Sequence, residues 1–192
     1  MSFIVQSEGL VVPAGRRALI GQSVRLLSGA AVALLAGRQA LAAGSNDATA
    51  QDVRILNTAL GAELEAVAAY QLAADSGLLQ TPVRELALTF QGHHKEHADL
   101  LARTVAKLGG RAVSPKEKYS FPTETLKAQA DVLRFAATLE KGAVSAYLGA
   151  VPLFGNRDLA KAAASILGDE AMHWAVLRNA VGEAPVPGAF VS

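Results

Sequence analysis

Four stretches of this chain carry an apolar stripe at helical spacing, and ionisable residues interrupt each stripe near its middle. The first stripe reads Leu56, Leu60, Glu63, Val67, Tyr70 and the second reads Phe90, His94, His97, Leu101, Leu108. The third reads Leu126, Leu133, Glu140, Val144, Tyr147 and the fourth reads Ile166, Glu170, His173, Leu177. Steps of three, four and seven place each set on one helix face, the face that turns towards a core. A charge there is costly unless it is paired or holds a cation. One interruption would be an accident. Four at the same height require a common cause, so the helices must bring these residues together.

Turn chemistry separates the stretches. The first runs from about Ala50 to Asp75 and stops at Ser76-Gly77. The second opens at Thr81-Pro82, a capping residue followed by proline at the first helical position, and stops at Leu108-Gly109-Gly110. A third runs from near Thr123-Glu124 to near Val151-Pro152, and Asn156 caps a fourth that reaches about Val181-Gly182. Residues 43–49 read as a small polar linker and 183–192, with two prolines, as an irregular tail. The first and third connections are short, which suits antiparallel hairpins. The middle one, Gly109 to Pro122, has 14 residues. Extended, it covers about 45 Å at roughly 3.3 Å per residue, while a helix of about 26 residues is about 39 Å long. It can therefore run the length of a bundle and start the third helix from the opposite end. The expected fold is all-α, an antiparallel four-helix bundle over residues 50–182 with a long crossover between helices 2 and 3.

The two halves repeat. Glu63 to Tyr70 and Glu140 to Tyr147 are each seven residues, while Glu63 to His97 is 34 and Glu140 to His173 is 33. Each half is one helix hairpin offering Glu, Tyr and His in the same order, and the two halves meet around a pseudo-twofold axis.

A Glu on one helix and Glu-x-x-His on the next, given twice, resembles the dimetal motif of the ferritin-like superfamily, which includes bacterioferritins, rubrerythrins and manganese catalases. The resemblance covers residues from about 50 to 182. Glu63 and Glu140 match the lone carboxylates, and Glu170-Ala171-Met172-His173 matches the paired motif. His94-Lys95-Glu96-His97 departs from it, with His94 where the family has a bridging Glu. The resemblance implies a metal-ligand set of Glu63, His94, His97, Glu140, Glu170 and His173. Glu63, His97, Glu140 and His173 would be terminal, Glu170 bridging and His94 an extra nitrogen ligand. Iron or manganese, one or two ions, is the implied cofactor, and imidazole-rich ligation also suits zinc or copper. The implied activity is oxidoreduction of dioxygen or peroxide. A homo-oligomer is compatible with the sequence, although neither a fifth helix nor an acidic pore segment of a storage cage is visible.

Other readings stay open beside this one. Tyr70 and Tyr147 lie two turns from candidate ligands, placed to hydrogen-bond carboxylates, to relay electrons or to pack with a satisfied hydroxyl. His93 lies near the core seam behind the ligands. Glu96 falls about 100° round the helix from His97, towards solvent, and Glu65 also reads as a solvated charge. Trp174 and Met172 read as packing or flank residues. Without metal, Glu63 can pair with His97 and Glu140 with His173 in a polar network that fixes helix register. The chain would then be a non-catalytic structural or stress-associated envelope protein.

Residues 1–42 read as an address. They hold Arg16, Arg17, Arg25 and Arg38 against Glu8, a balance of +3 in a chain of formal net charge +1. The remainder is thus slightly acidic and lacks a basic stripe with interleaved aromatics, which excludes nucleic-acid binding. Arg16-Arg17, the mild apolar run from Leu26 to Gly37, Arg38 and Ala40-Leu41-Ala42 resemble a bacterial twin-arginine signal with its cleavage site. Gly15 and Gly21 stand where such signals usually carry polar and basic residues. The 12 residues between Arg25 and Arg38 are too few for a permanent membrane span. The expected partner is the twin-arginine export machinery, and the destination is the periplasm or cell envelope of a bacterium. The absence of cysteine excludes thiolate metal sites and disulfides.

Overall fold

The computed structural model describes residues 45–191, and the expected signal, residues 1–42, lies outside them. Four helices carry the fold: α1 (Ser45–Asp75), α2 (Thr81–Lys107), α3 (Gln129–Ala150) and α4 (Arg157–Ala180). Single 3-10 turns form at Thr123–Thr125 and Val151–Leu153. Among the described residues there is no strand, and no helix is long and apolar enough to cross a membrane.

The boundaries differ from the sequence expectation where local caps prevail. Helix α1 begins at Ser45, so residues 45–49 of the expected linker are helical, with Asp47 placed favourably in the first turn. Gln80, not Thr81, is the N-cap of α2, and its backbone N–H donates to Gln129 Oε1 at 2.8 Å. Helix α3 starts at Gln129 rather than near Thr123. Asp131 sets that start, because its carboxylate accepts the N–H groups of Lys127 (3.1 Å) and Ala128 (2.9 Å). The crossover therefore spans residues 108–128 and includes Leu126, which the third stripe had placed on the helix. Asn156 caps α4 as expected, its Oδ1 accepting from the Asp158 N–H at 2.8 Å.

Helix α1 packs most extensively on α2, and α3 on α4. One apolar cluster joins Leu56 and Leu60 of α1, Leu101 and Val105 of α2, Tyr147 of α3 and Ile166 of α4. A second joins Tyr70, Phe90, Leu133 and Leu177. These memberships fix the directions: the start of α1 and α4 and the end of α2 and α3 share one end of the bundle. The crossover must then travel the full length between α2 and α3. It leaves α2 through Gly109, which adopts a φ of +78°, and Gly110, where a Cβ would lie 2.6 Å from Val53 Cγ1. Asn57 of α1 then holds it, donating to Arg111 O at 3.0 Å and accepting from Val113 N at 2.9 Å.

Asp52 is a structural anchor that the hydrophobic pattern alone does not reveal. It is buried in α1 and accepts the backbone N–H groups of Gly155 (2.8 Å) and Asn156 (3.0 Å) just ahead of α4. Asp52→Ala leaves both donors without partners, at a cost of about 1–3 kcal/mol each at most. A clear fall in Tm by circular dichroism is expected. An unchanged Tm would show that water satisfies the two N–H groups.

Candidate metal centre

Between the two apolar clusters lies a polar layer that gathers all six expected residues. Glu63 comes from α1, His94 and His97 from α2, Glu140 from α3, and Glu170 and His173 from α4. Five of them expose 2% or less of their surface, and the His97 side chain exposes 14%. Their donor atoms form two overlapping groups, Glu63–His94–His97–Glu170 and His94–Glu140–Glu170–His173, each with its atoms within 4.8 Å of one another. His94 and Glu170 belong to both groups, so they occupy the two shared positions of a pseudo-symmetric pair.

The contacts obey the same symmetry. His94 Nδ1 lies 2.8 Å from Glu63 Oε2 and His94 Nε2 lies 3.3 Å from Glu140 Oε1, so one imidazole spans both lone carboxylates. Tyr147 donates to Glu63 Oε1 at 2.6 Å, and Tyr70 donates to Glu140 Oε1. Each tyrosine thus fixes the carboxylate of the other half. Burial, reinforced by those same carboxylates, raises both tyrosine pKa values well above the ordinary value, so the hydroxyls stay donors. The Phe90 ring stacks on His173 with centroids 4.0 Å apart and holds its plane.

Several atoms in this layer have no partner. His97 Nδ1, His173 Nδ1 and both carboxylate oxygens of Glu170 are buried without a hydrogen bond. His97 Nδ1 and Glu170 Oε1 lie 3.1 Å apart yet are not aligned as donor and acceptor. That is the disposition of ligand atoms aimed at a common third point. Four orphaned atoms on three side chains in one buried layer would be an unusual cost in a protein of this size. The outer nitrogens of the same rings face Asp169 Oδ2, at 3.4 Å from His97 Nε2 and 3.3 Å from His173 Nε2. His173 Nε2 is also hydrogen-bonded to His93 Nδ1 at 2.8 Å. An Nε2–H held by such outer groups leaves Nδ1 with its lone pair turned inward, the arrangement by which proteins prepare imidazole ligands. The residues therefore fit a cation.

The electrostatics of the metal-free layer are those of an imidazole–carboxylate network. Burial works against a charged His94, but Glu140, Glu63 and Glu170 outweigh it and push its pKa up to about 11. His97 and His173 are raised to about 9 by neighbouring carboxylates against the same burial penalty. Burial also opposes the charged Glu63 and Glu140, and the histidines more than offset it, drawing both below the ordinary value. Glu170 runs the other way. Burial raises its pKa, the Glu140 charge adds to the rise, and His173 and His97 do not make up the difference.

A pH dependence follows. Glu63 and Glu140 stabilise the fold above about pH 4.5, and that contribution is lost as the pH falls. The histidines contribute fully below about pH 6.5, and theirs is lost as the pH rises through about 9. With chelator present, Tm is expected to peak between these limits and to fall on both sides. Metal competes with the imidazole protons, so saturating metal should flatten the alkaline fall. An identical pH profile with and without metal would contradict this account.

Neighbouring residues sort less simply than the sequence suggests. Glu96 and Met172 are exposed, the latter at 60%. Trp174 packs beneath Lys141 and Arg178, which lie over its ring. Glu65, expected as a solvated charge, is half-buried with its pKa raised by that burial. It lines an apolar cavity of about 60 Å³ between α1 and α3, walled by alanines such as Ala62 and Ala143 and reaching Glu63 and Glu140. Asp169 was not anticipated at all. Its position four residues before His173, one helical turn on the same face, was the signal that would have found it.

Fold and site together define a four-helix bundle built around an inward-facing carboxylate–imidazole cluster. The family model of the ferritin-like domain matches residues 51–183, and the chain belongs to that family. No curated protein matches the chain. Among solved structures it is similar to a conserved hypothetical protein from Mycobacterium tuberculosis, at 22% identity and TM-score 0.64, covering 76% of this chain and 99% of that one. It is also similar to the Desulfovibrio desulfuricans bacterioferritin, which has a diiron site, at 21% identity and TM-score 0.67, covering 73% and 84%. A ferritin-like diiron-carboxylate protein from Bacillus anthracis aligns at 16% identity and TM-score 0.61, covering 72% and 99%. At these identities the neighbours show the fold alone.

Proposed function

We propose that the protein is an exported metal-binding member of its family that holds iron or manganese in the buried layer and acts as an oxidoreductase on dioxygen or peroxide. The observation that carries this reading is the presence of four unpartnered buried ligand atoms, on His97, His173 and Glu170, in the two overlapping groups. Glu63, His97, Glu140 and His173 would hold the ions from the sides, and Glu170 lies between the two groups. Bound iron or manganese would supply the electron-transfer chemistry. The chain orients the ligands through Asp169, keeps both lone carboxylates ionised through the neighbouring histidines, fixes their positions through the tyrosine hydrogen bonds, and excludes water with the apolar clusters above and below. The diiron chemistry named for the bacterioferritin and Bacillus anthracis proteins favours iron over manganese and zinc. The twin-arginine route would carry the bundle folded and already loaded, which suits a site this enclosed.

His94 favours a second reading, a metal-free structural bundle. Its imidazole already bridges Glu63 and Glu140 and neutralises part of their charge. Elemental analysis of protein purified without chelators from the exported fraction distinguishes the two. About two equivalents of iron or manganese are expected for a dimetal centre, and one for a centre that His94 restricts. Protein that stays empty after reconstitution would leave the structural reading standing, and protein confined to the cytoplasm would remove the export assignment.

A further inference from the structure

We propose that His93, Asp169 and His173 form a second, outer site that takes a divalent transition-metal ion from solvent on the α2–α4 side of the bundle. His93 Nδ1 lies 2.8 Å from His173 Nε2 and 3.2 Å from Asp169 Oδ2, and His173 Nε2 lies 3.3 Å from the same oxygen. The three atoms make a closed triangle. Two of its edges, 3.2 and 3.3 Å, fall within the roughly 3.0–3.4 Å that separates neighbouring ligands each about 2.1 Å from one cation. The third, 2.8 Å, is a hydrogen bond between the two rings that an ion would replace by parting them slightly. Two imidazole nitrogens and one carboxylate oxygen form a donor set suited to iron, cobalt or zinc rather than to calcium or magnesium. His97 Nε2, 3.4 Å from Asp169 Oδ2, borders the triangle on the inner side.

The exposure of the three side chains is graded: 42% for His93, 24% for Asp169 and 2% for His173. An ion arriving from solvent meets His93 and Asp169 first and the buried ring last. His173 faces the outer site with Nε2 and the buried cluster with Nδ1. To hold the outer ion, Nε2 would release to solvent the proton it otherwise directs outward, and with both sites filled the ring would be an imidazolate, the one group between the outer ion and the inner ligands. Phe90 stacks on His173 and also lies against His93, with centroids 6.3 Å apart, which closes one side of the triangle to water. The direction of travel, from outer site to inner, rests on the proposed buried centre. The outer site itself does not.

Titration of the whole protein with cobalt(II), followed by visible absorption and calorimetry, tests it. His93 touches His173 and Asp169 and none of the inner carboxylates, so His93→Ala isolates the outer site. Wild type is expected to bind one equivalent more than His93→Ala, and Asp169→Asn to weaken that equivalent at least tenfold. An extra equivalent that survives Glu140→Gln but disappears in Glu140→Gln/His93→Ala would establish the outer site even if the buried centre fails. Equal stoichiometry and affinity in wild type and His93→Ala, with the Tm of both matched, would overturn the outer site and leave the buried one standing.

Discussion

Glu170→Leu is expected to strip the buried centre of metal and, in the same molecule, to make the metal-free protein more stable. The two effects have opposite signs because neither oxygen of Glu170 has a hydrogen bond unless a metal ion is present. It is fully buried and both of its oxygens lack hydrogen bonds. Burial has raised its pKa, which is the mark of a carboxylate that costs free energy at neutral pH. An apolar side chain of similar size removes that cost, worth about 1–3 kcal/mol for an unsatisfied buried group. Loss of metal takes away a larger stabilisation, about 4.1 kcal/mol when free metal stands at a thousand times its Kd. With chelator the variant should therefore melt above wild type, and with saturating iron or manganese below it. Elemental analysis should find it empty. A variant that keeps its metal would exclude Glu170 as a ligand. A variant that melts lower in chelator would make Glu170 a member of a metal-free network held by His97 and His173.

The sequence could place these residues because the fold is built from long helices, in which a stripe at a spacing of three and four is a direct record of which side faces inward. The six residues share a layer because each lies near the middle of its helix, and mid-height is insensitive to errors of a few residues at the ends. That tolerance explains how Gln129 can replace Thr123 as the start of α3 without moving Glu140 out of the layer. Helix ends were less legible because they depend on single hydrogen bonds, such as those that Asp131 accepts from Lys127 and Ala128. Contacts across the bundle were legible only in outline. The repeat gives Tyr70 and Tyr147 equivalent places, but the crossing of each tyrosine to the carboxylate of the other half depends on how the hairpins dock. Asp169 escaped because a charged residue beside a ligand looks like any solvated neighbour until its distances to His93, His97 and His173 are known.

His94 is the point at which this chain leaves the family pattern, and His94→Glu is expected to reverse what the layer needs. In metal-free wild type the His94 imidazole lies between Glu63 and Glu140, and both contacts favour its charged form. A carboxylate in its place puts four acidic groups in one buried layer and leaves Glu63 and Glu140 without their shared cation. Breaking a buried ion pair in this way costs about 3–5 kcal/mol, which for a domain of this size is a fall of roughly 10 °C in Tm. The acidic groups should then be held above their ordinary pKa in the folded state. Such groups stabilise the fold at low pH, and the stabilisation is lost as the pH rises, so the chelated variant should gain Tm when taken from pH 7 to pH 5. Metal should rescue it. Two shared carboxylates, at positions 94 and 170, can offset the charge of two divalent ions better than one carboxylate and one imidazole can. The variant is expected to take up two equivalents of iron or manganese and to show a gap between loaded and chelated Tm at least twice that of wild type. An unchanged Tm in chelator would mean that His94 is not the cation of the metal-free layer. A large destabilisation that no metal relieves would place the layer's role in holding the helices together, with His94 as its centre.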